Sequence, residues 1–171
     1  MPPDQNGLPE PLPGFDDPVG LLRACHDRIL QHCELLERLP ETPDSATARQ
    51  VVRYFTTSAV QHHRDEEEDL FPLINRQSMK IAELVFQLRK QHVQLDELWN
   101  ALLPQLRSVP QEGFDADFRA RTAEFCTLYR EHIQRENREL LPLISSSLSR
   151  QQLGMVGEKM AARRGVRFSA L

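Results

Sequence analysis

His62-His63-Arg64-Asp65-Glu66-Glu67-Glu68-Asp69-Leu70-Phe71-Pro72 sets a histidine and a carboxylate four residues apart on a helix and leaves it through Leu-Phe-Pro. Seventy residues later the chain repeats the pattern, as His132-Ile133-Gln134-Arg135-Glu136-Asn137-Arg138-Glu139-Leu140-Leu141-Pro142. Side chains four apart on a helix share a face about 40° wide. Each copy therefore presents one imidazole and one carboxylate together. Two metal ions held between helices require such a pair on two helices.

The flanking periodicity supplies the scaffold. Apolar residues recurring at steps of three and four predict four long helices and no strand. The first starts at Asp16-Asp17-Pro18, where Asp caps and Pro tolerates the first turn, and carries Leu22, His26, Ile29, Leu30, Cys33 and Leu36 inward. The second runs from Asp44-Ser45 to about Asn75, with Val52, Phe55, Ala59, His62, Glu66, Leu70 and Leu73 inward, and Pro72 is expected to bend or end it. The third spans Ser78 to Arg107 on a stripe of Ile81, Leu84, Val85, Leu88, His92, Leu95, Trp99 and Leu102. The fourth begins near Asp115 and shows Phe118, Thr122, Phe125, Tyr129, His132, Glu136 and Leu143 inward.

The expected fold is all-α: an antiparallel up-down-up-down four-helix bundle over residues 16–148. An extended Pro-rich arm (residues 1–15) precedes it, with Leu8, Leu12 and Phe15 available to tack the arm down. A short fifth helix, Arg150 to Arg163, and a tail complete residues 149–171.

The duplication extends to the other two helices. At an offset of 66, Leu22 meets Leu88, His26 meets His92, Ile29 meets Leu95 and Leu36 meets Leu102. Counted from the connecting loops, the four inward histidines fall at one height to within a few ångströms, at about 1.5 Å of rise per residue. A lone histidine on an apolar stripe is most often a hydrogen-bonded core residue. Four at one height, with two glutamates, favour a metal, because a buried carboxylate costs several kcal/mol unless a cation compensates. No Lys or Arg occupies these stripes at that level.

The expected ligands are His26 and His62 for one ion and His92 and His132 for the other, with Glu66 and Glu136 bridging. Such a set suits two irons about 3.5–4 Å apart; zinc or another divalent metal is an admissible substitute. Positions are left over for an oxo or hydroxo bridge and for O2, NO or peroxide. His32, His63, Glu67 and Glu68 fall off the stripes and are expected at the surface. Asp69 and Glu139 are expected to orient the histidines or to sit solvated at the helix ends. Tyr129 is expected to donate to a bound oxygen species or simply to pack.

At these residues the sequence resembles the hemerythrin family, specifically the bacterial hemerythrin-like domains named for their His-His-Glu cation-binding motif. The resemblance covers roughly residues 17–147 and is most specific in the doubled His-x-x-x-Glu followed by Leu-Phe-Pro or Leu-Leu-Pro. It implies a four-helix bundle with a non-haem di-iron centre, and O2 or NO binding or iron and redox sensing rather than a settled enzymatic activity. His26, His62, Glu66, His92, His132 and Glu136 match its ligand positions. Two departures stand out. Oxygen carriers of the family have a second histidine one turn from the one on the third helix, where Leu88 and Asp96 flank His92. Their last carboxylate follows its histidine by five residues, whereas Glu136 follows His132 by four and position 137 is Asn. A fifth histidine ligand is thus expected to be missing, leaving a position for water or Asp96.

Composition narrows the partners. A net charge of −4 carries no basic footprint for nucleic acid, and no apolar run approaches the ~20 residues of a membrane span. The first residues do not read as a signal peptide, and three cysteines fit a reducing compartment. The expectation is a cytoplasmic protein whose partner is a small diatomic ligand or peroxide, with its oligomeric state open and a dimer among the options. The competing functions are a di-iron enzyme of peroxidase or oxidase type, and a metal-stabilised helical adaptor without catalysis.

Overall fold

The computed structural model describes residues 13–170. It is all-helical, with five helices and no strand among the described residues. The expected anchoring by Leu8 and Leu12 lies outside the described residues. Helix α1 is Pro18–Arg38. Helix α2 covers residues 45–74 in consecutive pieces: Ser45–Thr56, Ser58–Arg64, a wide π-helical turn Asp65–Leu70, and Phe71–Ile74. Helix α3 is Met79–Arg107. Helix α4 covers residues 116–147 as Ala116–Arg135, a second π-helical turn Glu136–Leu140, and Leu141–Ser147. Helix α5 is Arg150–Arg163.

The starts follow from capping side chains. Asp17, Asp44, Ser78, Asp115 and Ser149 each accept a hydrogen bond from a backbone N–H of the first turn. Ser149 and Gln152 form a reciprocal capping box. Helix α2 is less regular than its apolar period implies. The hydroxyls of Thr56 and Thr57 bond back to the carbonyls of Val52 and Arg53 at 2.7 and 2.6 Å, which bends a helix, and Thr57 leaves helical geometry.

The two prolines do not end their helices. Pro lacks an N–H and crowds the carbonyl four residues back. Here the helix widens just ahead of it, so that the N–H of Phe71 bonds the carbonyl of Glu66 and that of Leu141 bonds the carbonyl of Glu136, five residues back in each case. One extra residue per turn advances the buried face by one. Ile74 and Ile144 are buried, whereas Leu73, placed inward from sequence, is 37% exposed, and Leu143 is only partly buried. At the other end of α2, Val51 rather than Val52 is fully buried.

Helix α1 packs on α2 and α4, and α3 packs on α2 and α4. The enclosed core has two apolar layers. One contains Ile29, Leu36, Phe55, Leu95, Trp99, Phe125 and Tyr129. The other contains Leu22, Leu70, Phe71, Ile74, Leu88, Leu140, Leu141 and Met160. Burying each such side chain contributes roughly 1.5–3 kcal/mol. His26 falls between Leu22 and Ile29, and His92 between Leu88 and Leu95, so a polar layer is sandwiched between the apolar ones.

Helix α5 caps the second layer through Val156 and Met160. Gly157 lets the Phe15 backbone rest against α5: a Cβ there would meet the Phe15 carbonyl oxygen at 2.0 Å. Phe15 also packs on Phe168, so the one arm residue of the three that can be seen does tack the chain down.

Candidate metal centre

His26, His62, His92, His132, Glu66 and Glu136 meet in the polar layer, each at most 5% exposed. Each carboxylate divides its oxygens between the two histidine pairs. Glu66 Oε1 lies 3.1 Å from His62 Nε2 and 4.0 Å from His26 Nε2, and its Oε2 lies 3.1 Å from His92 Nε2. Glu136 Oε2 lies 2.8 Å from His26 Nε2 and 4.0 Å from His62 Nε2. Its Oε1 lies 2.7 Å from His132 Nε2 and 4.0 Å from His92 Nε2. Two sets result, each within 4.8 Å: His26, His62, Glu66 and Glu136, and His92, His132, Glu66 and Glu136.

These contacts are short but do not have hydrogen-bond direction. All four oxygens of Glu66 and Glu136, and His26 Nε2, are buried without a hydrogen-bond partner. Among the described residues no Arg or Lys lies within ion-pair distance of either carboxylate. Three of the four outer nitrogens are partnered, while His62 Nδ1 is buried without a hydrogen-bond partner. His26 Nδ1 is 2.7 Å from Asn137 Oδ1, His92 Nδ1 is 2.8 Å from Glu67 Oε1, and His132 Nδ1 is 2.9 Å from Gln91 Oε1. Glu67 only accepts, so His92 holds a proton on Nδ1, and its Nε2 faces the polar layer, where loss of its proton would free a lone pair for a metal. His132 Nε2 faces that nitrogen at 3.1 Å, an arrangement that a cation between the rings relieves. Inward ring nitrogens, outer N–H groups held by acceptors and unpartnered carboxylate oxygens are what a metal site demands. The residues present fit one.

Residues 17–144 match the hemerythrin HHE cation-binding domain. The chain belongs to the hemerythrin HHE family. It is also 30% identical over 167 residues to a Haemophilus influenzae protein described only as uncharacterized, a match covering 93% of this chain and 96% of that one.

Several residues of this hemerythrin-like domain sit where sequence periodicity did not place them. Glu67 is not at the surface; it is half-buried, holding His92 on one oxygen and Arg89 Nε on the other at 2.9 Å. His63 is half-buried too, its Nε2 3.2 Å from the Tyr129 hydroxyl and its ring 4.0 Å from that of His92. Tyr129 thus meets a histidine. His32 stacks on Tyr54 at 3.7 Å instead of standing in solvent, and Glu68 is exposed as expected. Asp69 orients no histidine; it binds Arg163 at 2.8 Å. Glu139 is exposed beside Arg135. Asp96, exposed, is not among the clustered donors.

Asp65 is the residue that the apolar period missed. It is fully buried and takes both Arg163 and Arg164 of α5, Arg164 Nη2 at 2.7 Å. Gln91 and Asn137 were equally hidden. Their only signal is adjacency to His92 and Glu136, and an amide beside a ligand is common without this role.

In the metal-free protein, protons take the place of cations. Burial opposes the charge on His26, but Glu136 and Glu66 outweigh it and raise the pKa to about 9. His92 is likewise opposed by burial and raised by Glu66 and Glu67 to about 9. Burial pushes Glu66 up, yet the neighbouring imidazoles hold it well below the ordinary carboxylate range. Burial, followed by the charge of His92, drives His63 well below its usual value, so its imidazole is neutral.

The signs give a testable profile. The raised histidines contribute stability fully present below 6.5 and lost as pH rises through about 9. The lowered carboxylates contribute stability present above 4.5 and lost below it. The melting temperature of metal-free protein should therefore peak between pH 4.5 and 6.5 and fall toward pH 9.5. Metal-loaded protein should lack that alkaline fall, because bound metal has already displaced the protons.

Proposed function

We propose that this protein is a non-haem di-iron protein that binds or senses O2, NO or peroxide, or reports iron and redox state. The observation that carries the reading is the division of Glu66 and Glu136 between two histidine pairs, with every carboxylate oxygen buried and without a hydrogen-bond donor. His26 and His62 would hold one ion, His92 and His132 the other, and the two glutamates would bridge. An imidazole-rich set favours iron, zinc, copper or nickel over magnesium or calcium. Two bridged irons supply a redox-active pair with exchangeable positions for a small ligand.

The chain's own residues do the rest. Asn137, Glu67 and Gln91 hold imidazole protons and so fix ring orientation. The apolar layers above and below exclude water. Two surface cavities of about 300 and 450 Å³ meet at His63; one is walled by Phe55, Trp99 and Tyr129, the other by His92 and Arg89. They offer a small ligand its approach.

The packing of α1 on α2 and α4, and of α3 on α2 and α4, supports an up-down-up-down bundle of these four helices. Three unpaired buried cysteines support a reducing, cytoplasmic setting.

Anaerobic reconstitution with Fe(II), followed by exposure to O2, NO or azide, tests the ligand. A new visible absorption band, absent from a His62→Ala/His132→Ala double variant, is expected. Identical spectra with and without each ligand would remove the sensing reading while leaving metal binding intact.

A further inference from the structure

The sequence pattern makes the two halves of the centre equivalent, and the structure does not. One ring nitrogen each of His63, His92 and His132 lie within 4.8 Å of one another, whereas among the described residues no third imidazole joins His26 and His62. The His63 ring stacks on that of His92, 4.0 Å away with 20° between the planes, and lies 6.0 Å from that of His132, centroid to centroid, so a turn of the His63 ring brings its free nitrogen toward the ion. Tyr129 takes up Nε2 of His63, which leaves Nδ1 for a metal. His26, His92 and His132 divide their nitrogens in the same way, one to a protein oxygen and one to the polar layer. A partner on the outer nitrogen is the usual mark of a metal-bound imidazole.

We propose that His63 is a further ligand to the ion held by His92 and His132, bound through Nδ1 and oriented by the Tyr129 hydroxyl. This rests on the two-metal reading. It makes the ions inequivalent, with three imidazoles on one and two on the other. It also supplies a fifth histidine from the second helix, one residue past His62, where the third helix offers only Leu88 and Asp96. His63 stands between the ion and the two cavities that meet there, so an incoming ligand on that side competes with it.

Proton NMR of the wild-type protein loaded with Co(II) tests this without substitution. Each bound imidazole keeps one exchangeable ring N–H shifted far outside the diamagnetic range. Five such signals are expected if His63 binds alongside the four histidines of the paired sets; four would overturn the inference.

Co(II) titration of His63→Ala and His63→Gln adds a second readout. Loss of at least ~10-fold in affinity for one ion per chain is expected, since loss of an outer partner alone costs that much. Added imidazole should restore the His63→Ala site, and azide should bind His63→Ala more tightly than wild type. Unchanged affinity for both ions with no imidazole effect would overturn the role of His63 alone. Wild-type protein binding less than one Co(II) per chain would overturn the two-metal reading and this inference together.

Discussion

Replacing Glu66 with alanine is expected to reduce the centre to at most one metal per chain, with affinity for the lost ion falling more than ~100-fold. Glu66 lies within 4.0 Å of three imidazoles drawn from both pairs, His26, His62 and His92, as Glu136 does of all four. Its removal takes a donor from each ion. The magnitude has an internal reference in Glu67, which touches only the outer nitrogen of His92. Loss of such an orienting partner costs about 10–100-fold, so Glu67→Ala should weaken one ion by that amount and spare the other. Metal titration of the two variants, with circular dichroism to confirm retained helicity, checks the order. Equal losses would mean that Glu66 does not bridge.

The second large effect is on stability. Arg163 is 9% exposed and binds both Asp65 and Asp69, which are 0% and 5% exposed. Removing one partner from a buried ion pair leaves the other charged and unpaired, at about 3–5 kcal/mol. Arg164 still reaches Asp65, which favours the lower end. At about 2–4 °C per kcal/mol for a chain of this size, Arg163→Ala should lower the melting temperature by roughly 6–12 °C. Adding Asp69→Ala should recover part of that loss, because it removes the stranded carboxylate. A shift below 2 °C for Arg163→Ala, or no recovery in the double variant, would show that the clamp between α5 and the π-helical turn of α2 contributes little.

Much of this arrangement was legible in the sequence, and several of the places where it was not trace to the two wide turns. Helix starts could be read because capping is local: Asp17, Asp44, Ser78, Asp115 and Ser149 each act within one turn. His26 and His92 could be read because they lie on α1 and α3, and His62 and His132 because they precede the π-helical turns, where 100° per residue still holds; Glu66 and Glu136 are the second and first residues of those turns, before the wider pitch has turned the chain off that face. Further along each turn that angle fails. The wide turn at Asp65–Leu70 holds Glu67 against His92 and moves the apolar face from Leu73 to Ile74. The second turn, Glu136–Leu140, does the same to Leu143 and Ile144.

Pro72 and Pro142 were visible, but whether a proline ends, bends or widens a helix depends on the packing that holds the far side in place. The partners of Asp65 lie 98 and 99 residues away on α5, a separation that no local pattern encodes. His63 was set aside because it lies 100° from His62 on a regular helix, while the structure turns it toward His92 and Tyr129.

The central claim is that the buried histidines and glutamates form one centre for two metal ions, and metal content tests it most directly. Protein reconstituted anaerobically with Fe(II), freed of loose metal and assayed for iron should hold two irons per chain, and Glu66→Ala should hold no more than one. Less than one iron per chain in the wild-type protein, or the same iron content in Glu66→Ala as in wild type, would contradict it.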